Sequence, residues 1–189
     1  ELFFEKLAGY DTLRLILCKK AILVEGDSDE LVVQKAFMNA NDGLLPIEKG
    51  IDVISVGTSF LRFLEIAEKL DREVAVVTDS DGDIEALEEK YKDYLGENAK
   101  KDIKICFDRD IDTGKLKIGT KDFNYNTLEP KFLKVNTLSK LNEIFGKSFT
   151  NVDDMHRYMK AHKTECALKI FDTSENIEFP DYILASIRE

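Results

Sequence analysis

Residues 21–30 read AILVEGDSDE, so four apolar residues run directly into Glu25 and Gly26, and a further acid, Asp29, follows shortly after. A short apolar run bounded in this way predicts a buried β-strand, and the polar residues behind it predict the start of a helix. The acids therefore come where the strand ends. This placement indicates a metal site at the carboxyl end of a strand.

Residues 74–83 read VAVVTDSDGD and repeat this arrangement with three alternating aspartates, Asp79, Asp81 and Asp83. In a doubly wound sheet the carboxyl ends of parallel strands meet at one edge, where ligands bind. Asp79 and Asp81 alternate, so in extended backbone their side chains would point the same way. We therefore predict that Glu25, Asp79 and Asp81 share a cation and that Asp29 is close enough to hold a second one.

Carboxylate oxygens are the ligands that Mg²⁺ prefers, and it needs only a few of them because it keeps several waters. Two such cations about 4 Å apart can activate an attacking water and stabilise the leaving oxygen of a phosphodiester. The acids thus predict a magnesium-dependent enzyme that acts on phosphates.

The pattern of apolar residues alternates strands with helices. Strands are predicted at 20–25, 51–56, 73–78 and 103–107, and helices at 2–17, 28–40, 60–70 and 84–95. Such alternation predicts an α/β fold with a mainly parallel sheet of about four strands between helices. Asp27 or Ser28 is expected to cap the helix that follows the first strand, and Phe60, Phe63 and Leu64 are expected in the core.

The second half of the chain has a different texture. A polar hairpin is predicted at 108–118, with its turn at Asp112, Thr113 and Gly114, and helices follow at 138–145, 152–161, 163–171 and after Pro180. We therefore expect a helical lead-in at 1–19, a catalytic core at 20–130 and a helical extension at 131–189 packed on that core. His156 and His162 have no metal-ligand spacing and are expected to be structural.

Composition narrows the class of protein. The chain of 189 residues has 43% hydrophobic and 34% charged residues and a formal net charge of −10, which argues against a nonspecific nucleic-acid binder. Residues 100–140 nevertheless hold ten basic against six acidic residues, so this segment faces either a phosphate backbone or only solvent. The sequence contains no run of about 18 apolar residues, the length that a membrane-spanning helix needs.

The cysteines are Cys18, Cys106 and Cys166, which are odd in number and set among apolar residues. Buried free thiols are expected rather than disulfides, and this favours a cytoplasmic protein. The chain begins at Glu1 without a basic and apolar leader, so we expect it to be a piece of a longer protein that is not secreted.

The sequence resembles a known superfamily in two places: Glu25-Gly26 after one strand and Asp79-x-Asp81 after a later strand are the signatures of the Toprim fold. It further resembles the OLD (overcoming lysogenization defect) nucleases. Six segments carry that resemblance: GYDTLR (9–14), VEGDSDE (24–30), FLRFL (60–64), DSDGD (79–83), TLEP (127–130) and KTECAL (163–168).

This resemblance implies a DNA endonuclease that uses two Mg²⁺ or Mn²⁺ ions. Glu25 and Asp29 would hold or flank one ion and Asp79 and Asp81 the other, and the remaining acids of the site, Asp83 and Glu129, would assist. Glu25 would also be catalytic, and Lys163 would lie near the scissile phosphate, where a compact cation can neutralise developing charge.

The resemblance also implies partners. OLD nucleases are joined to an N-terminal ABC-type ATPase, but no G-x-x-x-x-G-K-[ST] motif occurs in this sequence. ATP would therefore act only through that absent domain. DNA is the expected substrate, a homodimer is compatible with the family, and phage defence or DNA repair is the expected setting.

Two alternatives stay open. Residues 74–83 are similar to the haloacid-dehalogenase phosphatase signature, in which Asp79 would be the nucleophile and Asp81 its acid/base partner, although that reading leaves Glu25-Gly26 unexplained. The other is a non-catalytic Toprim module that serves docking or dimerisation.

Overall fold

The computed structural model describes residues 9–112, 116–118, 121–123 and 126–188, and side chains outside 113–125. Its centre is a four-stranded sheet. The strands are β1 (Lys20–Val24), β2 (Ile51–Ser55), β3 (Glu73–Val77) and β4 (Ile103–Cys106), in the spatial order β2-β1-β3-β4. All three neighbouring pairs are parallel. The predicted parallel sheet is thus confirmed, and each strand lies within about one residue of its predicted bounds.

Helices cover both faces of this sheet. In chain order they are α1 (Tyr10–Leu17), α2 (Asp27–Ala40), α3 (Phe60–Lys69), α4 (Ile84–Lys90), α5 (Leu128–Val135), α6 (Leu138–Phe145), α7 (Val152–Ala161), α8 (Lys163–Asp172) and α9 (Asp181–Ile187). None of these described helices is long and apolar enough to cross a membrane. Residues 1–8 of the predicted lead-in helix lie outside the described residues.

The strands divide the apolar core into two clusters because successive side chains point to opposite faces. Ala21 and Leu23 of β1 face the cluster built with α1, α3 and α4, whereas Ile22 and Val24 face the cluster built with α2 and α5 to α9. Burial on both faces explains why the two central strands, β1 and β3, read as near-continuous apolar runs.

Several core predictions are confirmed. Phe60, Phe63 and Leu64 are at most 5% exposed. The three cysteines are buried and free. The apolar spacing of residues 60–70 also predicts Leu61 on the buried face; this prediction is wrong, because Leu61 lies at the flank of the buried stripe of α3 and is 43% exposed.

The helical extension packs on the sheet side that α2 occupies. The α2 residue Lys35 donates to the backbone oxygen of Thr173 behind α8 (2.5 Å), and Ile183 of α9 is 1% exposed in the shared cluster. The predicted division between core and extension at residue 130 falls inside α5, and that division stays a prediction.

Two segments differ from their predicted form. α4 ends at Lys90 rather than near Leu95, and 3₁₀ turns follow at Lys92–Tyr94 and Gly96–Asn98. The hairpin consists of β5 (Leu116–Ile118) paired antiparallel with β6 (Lys121–Phe123), so it lies later than predicted. Of its predicted turn, Thr113 and Gly114 lie outside the described residues.

Candidate active site at the carboxyl edge of the sheet

The end of β1 places two acids beside the start of α2. Glu25 follows the strand and is exposed, whereas Asp29 in the first helical turn is partly buried. Gly26 is the N-cap of α2, and Asp29 Oδ2 accepts a hydrogen bond from its N–H (3.0 Å). The predicted cap by Asp27 or Ser28 is therefore wrong, because α2 already begins at Asp27 and Asp29 reaches back to the N-cap residue.

The end of β3 places Asp79 between two distant helices. Asp79 Oδ2 accepts from the backbone N–H of Leu128 (3.2 Å), and Asp79 Oδ1 accepts from the hydroxyl of Tyr182 (3.2 Å). Leu128 begins α5 and Tyr182 belongs to α9. The carboxylate is thus held from two sides by elements outside the sheet.

The next two aspartates serve the turn that follows. Asp81 has a φ of 50° and Gly82 a φ of 79°, so the backbone is left-handed and the predicted extended Asp79-x-Asp81 pair is wrong. Asp81 is exposed, and its N–H donates to the oxygen of Asn126 (3.3 Å). Asp83 caps α4 by accepting from the N–H of Ala86 (2.9 Å).

Glu129 lies opposite these acids and is 7% exposed. Its Oε1 is 3.1 Å from Lys163 Nζ, its Oε2 is 3.4 Å from Lys160 Nζ, and the hydroxyl of Thr127 donates to Oε2 (3.3 Å). The two lysines come from the end of α7 and the start of α8. Lys163 therefore lies beside Glu129 at the acidic site, and its role near a scissile phosphate stays a prediction.

The acids repel one another. Burial, followed by the charges of Asp29, Glu129 and Asp81, raises the pKa of Asp79 to about 7. Burial, with the charges of Glu129 and Glu25, raises the pKa of Asp29 to about 6. The site thus concentrates negative charge at a partly buried place, where a bound cation would be favoured.

Burial acts on Glu129 too, but Lys160 and Lys163 outweigh it and lower the pKa of its carboxyl. Glu129 is therefore the acid of this site whose charge the chain itself balances. The charges of Asp29 and Asp79 are left for a ligand to balance.

The donor set fits a hard divalent cation, because Glu25, Asp29 and Asp79 line one small cavity together with Thr78 and Tyr182. As they stand, however, no three acidic, histidine or cysteine side chains in the described ranges are gathered closely enough to hold an ion. Of the other acids near this cavity, Glu129 is engaged by two lysines and Asp81 lies in the exposed turn.

Sequence reasoning missed Tyr182 and Lys160. The hydroxyl of Tyr182 reaches Asp79 across 103 positions of the chain, and no local pattern marks it. Lys160 stands three positions before Lys163, so its spacing was a usable signal that it could share the same carboxylate.

The two histidines lie elsewhere. His156 is 0% exposed, and burial lowers the pKa of its imidazole to about 4. His162 follows α7 and is exposed. Neither lines the cavity with Glu25 and Asp79.

The described part of the basic segment at 100–140 is largely engaged with this chain's own groups. Its ion pairs are Lys100 with Glu68, Arg109 with Glu88, Lys131 with Asp108 and Asp112, Lys134 with Asp112, and Lys140 with Glu175. Lys104 donates to the backbone oxygen of Ala185 (2.6 Å). These contacts favour the reading of a solvated surface over a surface that faces a phosphate backbone.

Comparisons with known proteins agree with this geometry. Residues 16–81 match the family model described as overcoming lysogenization defect protein-like, TOPRIM domain. These residues run from α1 through both acidic strand ends to Asp81. No curated protein sequence matches the chain significantly.

Solved structures match over most of the chain. The C-terminal region of the Xanthomonas campestris pv. campestris OLD protein, phased with platinum, has a TM-score of 0.60 at 17% identity and covers 92% of each chain. The mercury-phased structure of the same region has a TM-score of 0.58 at 18% identity, covering 90% of this chain and 93% of that one. The chain therefore matches an OLD-like TOPRIM domain over residues 16–81 and has the fold of the C-terminal region of an OLD protein.

Proposed function

We propose that this chain is a divalent-metal-dependent endonuclease that hydrolyses phosphodiester bonds in DNA. The observation that carries the proposal is the meeting of two strand ends: the charge of Asp29 behind β1 helps to raise the pKa of Asp79 behind β3, and both acids share one cavity with Glu25. The OLD-like TOPRIM match over residues 16–81 supports it.

The acids would hold Mg²⁺ or Mn²⁺, and the family resemblance implies two ions. Glu25, Asp29 and Asp79 would be the ligands in the cavity, with Asp81 joining from the adjacent turn. When bound, a divalent cation supplies Lewis-acid charge for phosphate ester hydrolysis. Glu129 and Asp83 have other partners in this structure, so their roles as ligands stay predictions.

The two lysines at Glu129 have different access to a substrate. The side chain of Lys163 is 51% exposed and that of Lys160 is 18% exposed. Lys163 is therefore placed to meet a phosphate and neutralise its charge. Lys160 would keep Glu129, and through it Lys163, in position.

The choice of DNA and of an ABC-type ATPase as partner rests on the family resemblance. We propose that the chain works with such an ATPase domain, through which ATP would act. A homodimer, a cytoplasmic setting and a role in phage defence or repair stay predictions.

The phosphatase alternative is less well supported. It would use Asp79 as the nucleophile, but it assigns no task to Glu25 and Asp29, which line the same cavity.

Nicking of supercoiled plasmid tests the proposal, with Mg²⁺, Mn²⁺, Ca²⁺ or a chelator and with Glu25→Gln and Asp79→Asn variants. Asp42→Asn is the matched control, because Asp42 is exposed, is remote from the cavity and has a φ of 54° that asparagine tolerates. We expect the wild type and the Asp42→Asn control to cut the plasmid with Mg²⁺ or Mn²⁺. The Glu25→Gln and Asp79→Asn variants should not cut it.

Three results would overturn the nuclease proposal. Cutting in the presence of chelator would show that the reaction needs no divalent metal. Full activity of both site variants would show that Glu25 and Asp79 do not take part in it. Hydrolysis of p-nitrophenyl phosphate that depends on Asp79, with plasmid left intact, would establish the phosphatase.

A further inference from the structure

Tyr182 ties the last described helix, α9, to the acidic site. Its side chain is 7% exposed, and its hydroxyl donates to Asp79 Oδ1 at 3.2 Å. It lines the same cavity as Glu25 and Asp29. The last helix of the described chain therefore contributes a polar group to a site whose acids follow β1 and β3.

The helix that carries Tyr182 is held firmly against the sheet. Ile183 is 1% exposed in the core cluster, and Lys104 of β4 donates to the backbone oxygen of Ala185 at 2.6 Å. A cation at the last carbonyls of a helix satisfies oxygens that lack an intrahelical partner. The phenol ring of Tyr182 is thus fixed relative to β3 and β4.

Asp79 is held on its other oxygen by the N–H of Leu128, also at 3.2 Å. A carboxylate can accept about four hydrogen bonds, so these two leave further lone pairs for a cation or substrate. With the hydroxyl alone removed, the carboxylate would be held from one side and could rotate. Two opposed donors therefore set the orientation of the remaining lone pairs.

We infer that Tyr182 is a positioning residue that orients the Asp79 carboxylate for binding a divalent cation, so the helical extension is part of the active site. The inference rests on the proposed function for its metal and on the two hydrogen bonds of Asp79 for its geometry. It predicts that loss of the Tyr182 hydroxyl weakens the hydrogen bond between Leu128 and Asp79 in the metal-free protein. It also predicts, as a second and separate effect, a lower affinity for divalent metal.

Tyr182→Phe removes only the hydroxyl and keeps the buried ring. Tyr94→Phe is the matched control, because Tyr94 is similarly buried at 9% exposure but belongs to the cluster on the opposite face of the sheet. In metal-free protein, NMR hydrogen exchange of the Leu128 amide should become about tenfold faster in Tyr182→Phe, since a charge-assisted hydrogen bond is lost on the shared carboxylate. Calorimetric titration should show about tenfold weaker Mn²⁺ binding, and the control should change neither quantity.

The two measurements separate this inference from the proposed function. Unchanged Leu128 exchange in Tyr182→Phe overturns the positioning role, and unchanged Mn²⁺ affinity beside faster exchange overturns its link to metal. A wild-type protein that binds no Mn²⁺ overturns the proposed function, and the exchange rate of Leu128 then decides the orienting role of Tyr182. An equal loss in Tyr94→Phe would mean a general effect on stability and would count against the inference.

Discussion

The end of β1 and the end of β3 each pair a partly buried acid with an exposed one, but they hold the buried acid differently. Asp29 bonds within its own helix start, to the N–H of Gly26, whereas Asp79 is held by Leu128 and Tyr182 from distant helices. The first arrangement is local and would form with α2. The second exists only when α5 and α9 are packed on the sheet, so two similar sequence motifs give one local and one tertiary half of the site.

The largest expected effect is a difference in plasmid nicking between variants of two aspartates that follow β3, Asp79 and Asp83. Asp79→Asn should lower plasmid nicking by at least about a hundredfold, because it removes a charged ligand from the cavity. Asp83→Asn should keep activity within about threefold, since asparagine also caps a helix. A comparable loss in Asp83→Asn would instead support the ligand role that the sequence predicted for it.

The pKa values of the two buried acids predict how stability depends on pH without metal. The folded-state pKa is about 7 for Asp79 and about 6 for Asp29, against an ordinary value of 3.8. The folded protein therefore holds these protons more tightly than the unfolded chain. The resulting stabilisation is fully present below about pH 4 and is lost as the pH rises through 6 and 7.

Urea denaturation in chelator measures this effect. Between pH 5 and pH 8 the free energy of unfolding of the wild type should fall by about 2 kcal/mol more than that of Asp79→Asn. The stability of the variant relative to the wild type should consequently rise between pH 5 and pH 8, and added Mg²⁺ should oppose that rise. Parallel pH curves for the two proteins would contradict the view that Asp79 carries unbalanced charge.

The helix starts behind the two strands give a smaller contrast. Asp83 accepts from the N–H of Ala86, whereas Asp27 occupies the first residue of α2 without a capping bond. Asp83→Ala should lower the free energy of unfolding by about 1 kcal/mol, and Asp27→Ala by no more than about 0.5 kcal/mol. Thermal denaturation of both variants decides this, and equal losses would remove the distinction.

The glycines of the two motifs give an equally small contrast in stability. Gly82 has a φ of 79°, so Gly82→Ala should lower the free energy of unfolding by about 1 kcal/mol. Gly26 has a φ of −134°, and a Cβ there would lie 3.4 Å from Asp29 Oδ2, in ordinary contact. Gly26→Ala should therefore change the free energy of unfolding by less than about 0.5 kcal/mol. A larger loss than that of Gly82→Ala in chemical denaturation would show that the end of β1 tolerates an added methyl group less well than the end of β3.

Local pattern predicted most of the fold. The central strands β1 and β3 are near-continuous apolar runs, and the α2 and α7 helices end where their apolar periodicity ends, so the bounds of these elements follow from the sequence. The backbone at Asp81 differs from the predicted extended form because Gly82 follows it, and an Asp-Gly pair is typical of turns.

The site was predictable only for residues that follow strands. Glu25, Asp29 and Asp79 were found because parallel strand ends converge at one edge, and these three line one cavity. The hydrogen bond from Tyr182 to Asp79 could not be predicted, because it depends on how α9 packs. That packing depends on contacts spread over the whole core. The ligand roles of all six acids and the catalytic roles of Glu25 and Lys163 stay predictions.

The central claim is that the two strand ends form one metal centre, and calorimetric titration with Mn²⁺ of the wild type, Asp29→Asn and Asp79→Asn tests it most directly. If Asp29 and Asp79 serve one centre, each substitution should weaken Mn²⁺ binding by at least about tenfold, although one acid belongs to the local half and the other to the tertiary half. Binding that one substitution abolishes and the other leaves at wild-type affinity would contradict the claim.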